Sequence, residues 1–105
     1  MVKQLDQSNF QETLQSNEVV LVDFYADWCG PCQALKPTLD TLSTEFDGKA
    51  TISKVNVDTN PELSRQYGVR SIPALFYFKD GQLVDQESGW KTKEQLTQKL
   101  DSLLN

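Results

Sequence analysis

The feature that most constrains the fold is the seven-residue run from Val19 to Tyr25, in which Asp23 is the only charged residue. Most of the run is β-branched or aromatic, and such residues favour strands. A strand that is apolar at successive positions is typical of a sheet covered by helices on both faces. We therefore predict that this run is a central, doubly buried strand.

Segments of helical periodicity alternate with such strand-like runs. Behind Pro31, which suits the first turn of a helix, apolar residues recur at three- and four-residue steps as far as Phe46. A second strand-like run covers 52–57, and Asn60-Pro61 indicates the start of a short helix that Gly68 closes. This alternation predicts an α/β sheet with helices packed on it.

The last third of the chain carries a hairpin signal. Asp80-Gly81 separates two strand-like segments, 74–79 and 82–87, and this dipeptide favours a tight two-residue turn. The two strands are therefore predicted to be antiparallel, which makes the whole sheet mixed.

Two pairs of residues have the spacing of a helix capping box. Ser8 and Gln11 have this spacing at the start of a short segment that bears Phe10 and Leu14. Thr92 and Gln95 have it before a leucine-rich stripe. We predict a helix start at each pair.

Size and composition indicate one globular unit. The chain has 105 residues, of which 38% are apolar and 24% charged, so neither a disordered nor a fibrous chain fits. We expect a single domain over residues 1–105.

The charge balance excludes several classes of partner. Fifteen acidic and ten basic residues give a net charge of −5, which opposes the phosphate neutralisation that nucleic-acid binding requires. The basic residues are scattered, and no apolar run approaches the length of a membrane span, so neither nucleic acid nor a membrane is an expected partner.

The first eighteen positions lack the apolar stretch of a secretory signal, so we expect a cytoplasmic protein.

The only two cysteines, Cys29 and Cys32, lie three residues apart at the start of the predicted helix. Side chains at this spacing stand on neighbouring turns, about 5–6 Å apart at Cβ. A disulfide requires about 3.5–4.5 Å, so a small local adjustment would close the bond.

Three other interpretations of the cysteine pair compete with redox chemistry. A structural crosslink is disfavoured, because so short a loop gains only about 2 kcal/mol in the chain-entropy model, against about 3 for fifteen residues. A zinc site lacks ligands, since the chain has no histidine and no further cysteine, so only a site shared between two chains remains. Inert core thiols would not need Trp28, Gly30 and Pro31 beside them. The spacing therefore favours a redox pair.

The segment Trp28-Cys29-Gly30-Pro31-Cys32 closely resembles the active-site motif of the thioredoxin family. The resemblance extends over nearly the whole chain, through Asp23, Lys54, Ser71-Ile72-Pro73 and Lys79-Asp80-Gly81. It implies the α/β thioredoxin fold, a central mixed five-stranded sheet flanked by four helices. It also implies a protein-disulfide reductase that binds no cofactor or metal and works through a reversible Cys29–Cys32 disulfide.

The resemblance assigns different roles to the two cysteines. Cys29 would attack a substrate disulfide to form a mixed disulfide, and Cys32 would resolve it. At a helix N-terminus, amide donors and the macrodipole favour the thiolate, so we expect a lowered pKa and an exposed sulfur for Cys29. Cys32, one turn inside the helix, is expected to be shielded.

Asp23 is the candidate proton acceptor for Cys32. Burial of a carboxyl group in an apolar strand raises its pKa, which suits a base working near neutral pH, and the resemblance supports this role. Lys54 would tune the pKa of the Asp23 carboxyl group. The alternative is a purely structural buried acid paired with Lys54.

Pro73 resembles the family's cis-proline, which implies a cis Ile72–Pro73 bond and backbone contacts from Ile72 to substrate. The expected contact surface is mostly apolar and uncharged, and consists of Trp28, Gly30, Pro31, Ile72, Pro73, Gly89 and Trp90. Core packing of Trp28, and packing of Trp90 on the last helix, are the alternatives.

Four residues depart from the family pattern. Tyr25 replaces the usual Trp, Ala74 replaces Thr, and Ser88 replaces an apolar residue. Trp90 stands where a small residue is usual, and an aromatic there would alter the contact surface.

The expected partners are disulfide-containing proteins and an NADPH-dependent thioredoxin reductase, and we expect a monomer. Gly30-Pro31 contains no histidine to stabilise the thiolate, which favours a reductant over a disulfide isomerase or oxidase. A non-catalytic binding module of the same fold and a metal or iron–sulfur site shared between two chains are the remaining alternatives.

Overall fold

The structure is a computed structural model that describes residues 1–104. Within these residues the chain forms five strands and four helices. In chain order they are β1 Lys3–Leu5, α1 Phe10–Ser16, β2 Val19–Tyr25, α2 Gly30–Glu45, β3 Thr51–Asn56, α3 Pro61–Gln66, β4 Ala74–Lys79, β5 Gln82–Ser88 and α4 Lys93–Leu104. The predicted fold class, a mixed five-stranded sheet with four helices, is confirmed.

The sheet has the strand order β1-β3-β2-β4-β5. Strands β1 and β2 each pair with β3 in parallel, while β4 is antiparallel to both β2 and β5. All seven residues of β2 are buried. The prediction of a doubly buried central strand is therefore correct.

Two apolar cores lie on opposite faces of the sheet. Val20, Val22 and Phe24 of β2 belong to one core, together with residues of α1 and α3. Val19 and Leu21 belong to the other, with residues of α2 and α4. Because side chains alternate along a strand, the remaining odd-numbered residues of β2 face α2. This alternation directs Asp23 towards the helix that begins at the cysteines.

The predicted hairpin is present. Asp80 and Gly81 have φ angles of 52° and 81°, the left-handed conformations that a tight hairpin turn requires at both central positions. Lys79 pairs with Gln82 directly across the turn. The final two strands are thus antiparallel, as expected.

One predicted capping box is correct and the other is wrong. The amide of Gln95 donates to Thr92 Oγ1 at 3.1 Å, and the amide of Thr92 donates to Gln95 Oε1 at 2.9 Å. Near the N-terminus, by contrast, the residue that precedes α1 is Asn9. The Ser8 amide and hydroxyl instead donate to Asp6 Oδ1, at 2.8 and 2.6 Å. The Asp6 carboxylate thus holds Ser8 in a local turn, so the N-cap is one residue later than the predicted Ser8.

Candidate active site

The two cysteines are joined by a disulfide at the N-terminus of α2. Cys29 is the N-cap residue, with extended backbone angles, and Pro31 lies in the first turn. The Cα atoms of Cys29 and Cys32 are 5.2 Å apart. The amide of Cys32 donates to Cys29 Sγ at 3.2 Å. A sulfur atom therefore occupies the capping position that a side-chain oxygen usually takes, where free helix amides point.

The two cysteine residues are nearly equally buried. Cys32 is 2% exposed, as expected, but Cys29 is only 5% exposed, so the expectation of an exposed Cys29 is wrong for the disulfide form. The cause is local packing, because both cysteines form one apolar cluster with Tyr25 and Ala26, and Ile72 packs against it. The structure distinguishes the sulfurs by their hydrogen bonding more than by their exposure.

The loop before β4 covers one side of the disulfide. The Ile72–Pro73 peptide bond is cis, as the resemblance implied. The Ile72 carbonyl oxygen lies 3.8 Å from Cys29 Sγ. A disulfide sulfur carries no proton, so this is a contact and not a hydrogen bond. The Gly89 amide donates to the Pro73 carbonyl at 2.8 Å, which brings the end of β5 to the same place.

Two tryptophans lie at the surface. Trp28 is 72% exposed, and its indole N–H donates to Asp58 Oδ2 at 2.9 Å, so it is not a core residue. Trp90 is 49% exposed and lies between β5 and α4. Gly30 and Pro31 are also exposed. None of these four exposed residues carries a charged side chain, and the Asp58 carboxylate lies against the Trp28 indole.

Asp23 is buried, at 2% exposure, and its Oδ1 atom has no hydrogen-bond partner. Desolvation raises the pKa of Asp23 to about 7, against a smaller opposing effect of the Lys54 ammonium. Asp23 and Lys54 stand directly opposite each other on β2 and β3, yet no ion pair joins them in residues 1–104. The alternative of a structural Asp23–Lys54 ion pair is therefore not what the structure contains.

A small cavity connects Asp23 with the buried cysteine. Its volume is about 90 Å³, and a polar cavity of that size has room for water. It is lined by Val2, Asp23, Tyr25, Cys32, Lys36, Leu39, Asp40 and Lys54. Sequence reasoning missed two of these, Lys36 and Asp40. Their spacing was a usable signal, because residues four and eight positions after Cys32 share its face of the helix.

Ala74 and Ser88 are two of the residues that depart from the family pattern, and they are paired across β4 and β5. Both line a groove of about 300 Å³, whose other wall is the 68–71 loop with Arg70 and Ser71. The groove adjoins Pro73. Substitutions at these two positions therefore change the surface beside the cis-proline loop.

Two other kinds of feature are absent from residues 1–104. No helix there is long and apolar enough to cross a membrane. The same residues hold no cluster of three or more His, Cys, Asp or Glu side chains placed to bind a metal ion.

Comparison with known proteins agrees with the geometry. The thioredoxin family model matches residues 1–102. A thioredoxin from Chlorobaculum thiosulfatiphilum is 49% identical over 94 residues, which cover 89% of this chain and 87% of that protein. A thioredoxin from Staphylococcus haemolyticus is 50% identical over 97 residues, covering 92% of each chain.

A solved structure has the same fold. A mutant thioredoxin from Halobacterium salinarum superposes with a TM-score of 0.92 at 38% identity, covering 98% of this chain and 90% of that one. Sequence, fold and the cysteine pair thus lead to one conclusion. The chain belongs to the thioredoxin family and is a thiol–disulfide oxidoreductase that reduces protein disulfides.

Proposed function

We propose that Cys29 is the nucleophile of this reductase and that Cys32 is the resolving thiol. The assignment rests on one observation: Cys29 Sγ caps α2 and accepts a hydrogen bond from the Cys32 amide at 3.2 Å. In the reduced protein, the same donor and the helix macrodipole would stabilise a thiolate at Cys29. Cys32 Sγ, inside the first turn, has no comparable set of free amides.

The chemistry is two successive thiol–disulfide exchanges. The Cys29 thiolate attacks one substrate sulfur, the substrate S–S bond breaks, and the departing sulfur takes a proton. The Cys32 thiol then loses its proton and attacks Cys29 Sγ in the mixed disulfide. The second substrate sulfur leaves and is protonated, and the intrachain disulfide re-forms. Two electrons pass from the protein dithiol to the substrate.

Asp23 is the proposed acceptor for the Cys32 proton. Its raised pKa, about 7, makes it a base matched to neutral pH, and the cavity that it shares with Cys32 offers a route through water. Lys54, opposite it on β3, tunes the acid by lowering its pKa.

The proposed substrate contacts surround the disulfide. Ile72 would supply its carbonyl, 3.8 Å from Cys29 Sγ, to an extended substrate segment. The other proposed contact residues are Trp28, Gly30, Pro31, Pro73, Gly89 and Trp90. Because none of these contact residues carries a charged side chain, the surface suits many different partner proteins.

Several wider features belong to the same proposal. An NADPH-dependent thioredoxin reductase would return electrons to the disulfide, so that the protein carries electrons between two partners. We further propose one thioredoxin domain over residues 1–105, working as a cytoplasmic monomer. The family match over residues 1–102 supports the single domain.

Insulin reduction, driven by NADPH and thioredoxin reductase, tests the proposal. Wild type is expected to turn over, and Cys29→Ser to lose turnover entirely, while Thr41→Ala on the exposed face of α2 retains it. Turnover that survives in Cys29→Ser would contradict the nucleophile role, and turnover absent in wild type would indicate a binding module. The thiol–disulfide equilibrium with glutathione separates a reductant from an isomerase or oxidase, and a strongly oxidising value would reverse the assignment.

A further inference from the structure

Tyr25 is the last residue of β2 and stands two positions after Asp23, on the same face of the sheet. Lys54 Nζ lies over the Tyr25 ring, 5.4 Å from its centroid. The Tyr25 hydroxyl donates to Gln4 Oε1 at 3.3 Å, and Gln4 pairs with Lys54 on the other side. The ring is thus anchored at its hydroxyl and presents its face to a cation.

The position of this ammonium group is unexpected. Asp23 and Lys54 are register partners on adjacent parallel strands, about 4.8 Å apart in backbone spacing, so a lysine side chain can reach the carboxylate. Nevertheless, no ion pair joins them in the described chain, and Asp23 Oδ1 has no hydrogen-bond partner. The lysine contacts the aromatic face instead, an arrangement with recognised attraction.

We propose that Tyr25 is a positioning residue, whose ring holds the Lys54 ammonium off the Asp23 carboxyl group and so prevents an ion pair between them. The inference rests on the proposed role of Asp23 as proton acceptor for Cys32. A direct ion pair would stabilise the ionised carboxylate and make it a poor base at neutral pH. With the ammonium over the ring, Asp23 retains the raised pKa that burial gives it.

Other charged groups face the same space and stay in place when Tyr25 is replaced. Lys36 and Asp40 reach the cavity from α2, with opposite charges. On the far side, Glu87 of β5 shares this face of the sheet but accepts a hydrogen bond from the Tyr77 hydroxyl. A change confined to Tyr25 therefore leaves these charged residues unaltered.

The test is a carbon-13 NMR titration of the Asp23 carboxyl group in the oxidised protein. Tyr25→Phe keeps the ring and is expected to leave the titration midpoint unchanged. Tyr25→Leu removes the ring and is expected to lower the midpoint by about one pH unit, because the ammonium can then pair with the carboxylate. An unchanged midpoint in Tyr25→Leu overturns the proposal.

If water filled the space left by the ring, it would lower the midpoint without any ion pair, so both variants are repeated with Lys54→Met. In that background Tyr25→Leu is expected to have no effect. If it lowers the midpoint as much as before, hydration is the cause and the positioning role is refuted.

A second readout needs no variant at Tyr25. The ε-methylene protons of Lys54 are expected to show an upfield ring-current shift in wild type, and the absence of that shift overturns the proposal. Both measurements use the oxidised protein without turnover. Their failure is therefore distinguishable from failure of the Asp23 role, which the kinetics of Asp23→Asn test separately.

Discussion

The amide of Gly89 donates a hydrogen bond to the carbonyl oxygen of Pro73, over 2.8 Å, and so joins the end of β5 to the loop beside the disulfide. Gly89 forms this bond with a φ of 90°, a conformation that side chains with a Cβ rarely adopt. A Cβ built there would meet nothing within 4 Å. The need for glycine is therefore conformational and not a matter of space.

Gly89→Ala is accordingly expected to lower the free energy of unfolding by about 1 kcal/mol, through backbone strain alone. Gly30→Ala is the matched control, because a Cβ at Gly30 also meets nothing within 4 Å but the residue is helical. Its expected change lies within about 0.5 kcal/mol, since alanine is favoured in helices. Urea denaturation measures both, and equal effects would show that strain at Gly89 is not the cause.

Asp23→Asn is expected to stabilise the protein in a pH-dependent way. The pKa of Asp23 is raised by burial from 3.8 to about 7, so folding disfavours its ionised form. The stability that the protonated Asp23 carboxyl group contributes is thus fully present below about pH 4 and is lost as pH rises towards 7. The advantage of the variant should grow over that window by up to about 4 kcal/mol. Chemical denaturation across this pH range checks it, and a constant difference would mean that Asp23 titrates normally.

Much of the fold follows from signals that are local in sequence. The turn Asp80-Gly81 and the pair Thr92 with Gln95 each determine the conformation of the backbone beside them. The run Val19–Tyr25 indicates by its own composition that it is a buried strand. The Ser8 prediction failed for the same kind of reason, since Asp6, two residues upstream, competes for its amide.

The parts of the site that the sequence did not reveal depend on contacts between distant residues. The burial of Cys29 depends on Ile72, forty-three positions later, and the Lys54 ammonium lies over Tyr25 on another strand. No periodicity encodes such contacts. The motif indicated which residues meet, whereas packing decides how exposed they are.

The bond from the Trp28 indole to Asp58 is expected to restrain an otherwise exposed ring. In a Trp90→Phe background, where Trp28 is the only tryptophan, Asp58→Ala should lower its fluorescence anisotropy. Asp27→Ala is the control, because it removes a neighbouring carboxylate and leaves the bond intact. Equal anisotropy in the two variants would show that the bond does not hold the ring.

Tyr77 is expected not to ionise in moderate alkali. Burial raises the pKa of Tyr77, and so does the carboxylate of Glu87, which accepts a hydrogen bond from the Tyr77 hydroxyl at 2.8 Å. Ultraviolet titration to about pH 11, above the ordinary tyrosine pKa of about 10, should therefore give the same tyrosinate signal in wild type and Tyr77→Phe. A smaller signal in the variant would contradict this, since it would show that Tyr77 ionises in wild type.

In the proposed mechanism, Cys29 attacks substrate and Cys32 resolves the intermediate. Mass spectrometry of Cys32→Ser mixed with a disulfide-containing protein tests it most directly, with Cys29→Ser as the matched control. We predict that Cys32→Ser accumulates a mixed disulfide through Cys29, because nothing remains to resolve it, and that Cys29→Ser forms none. Accumulation in Cys29→Ser instead, or in neither variant, would contradict the assignment of roles.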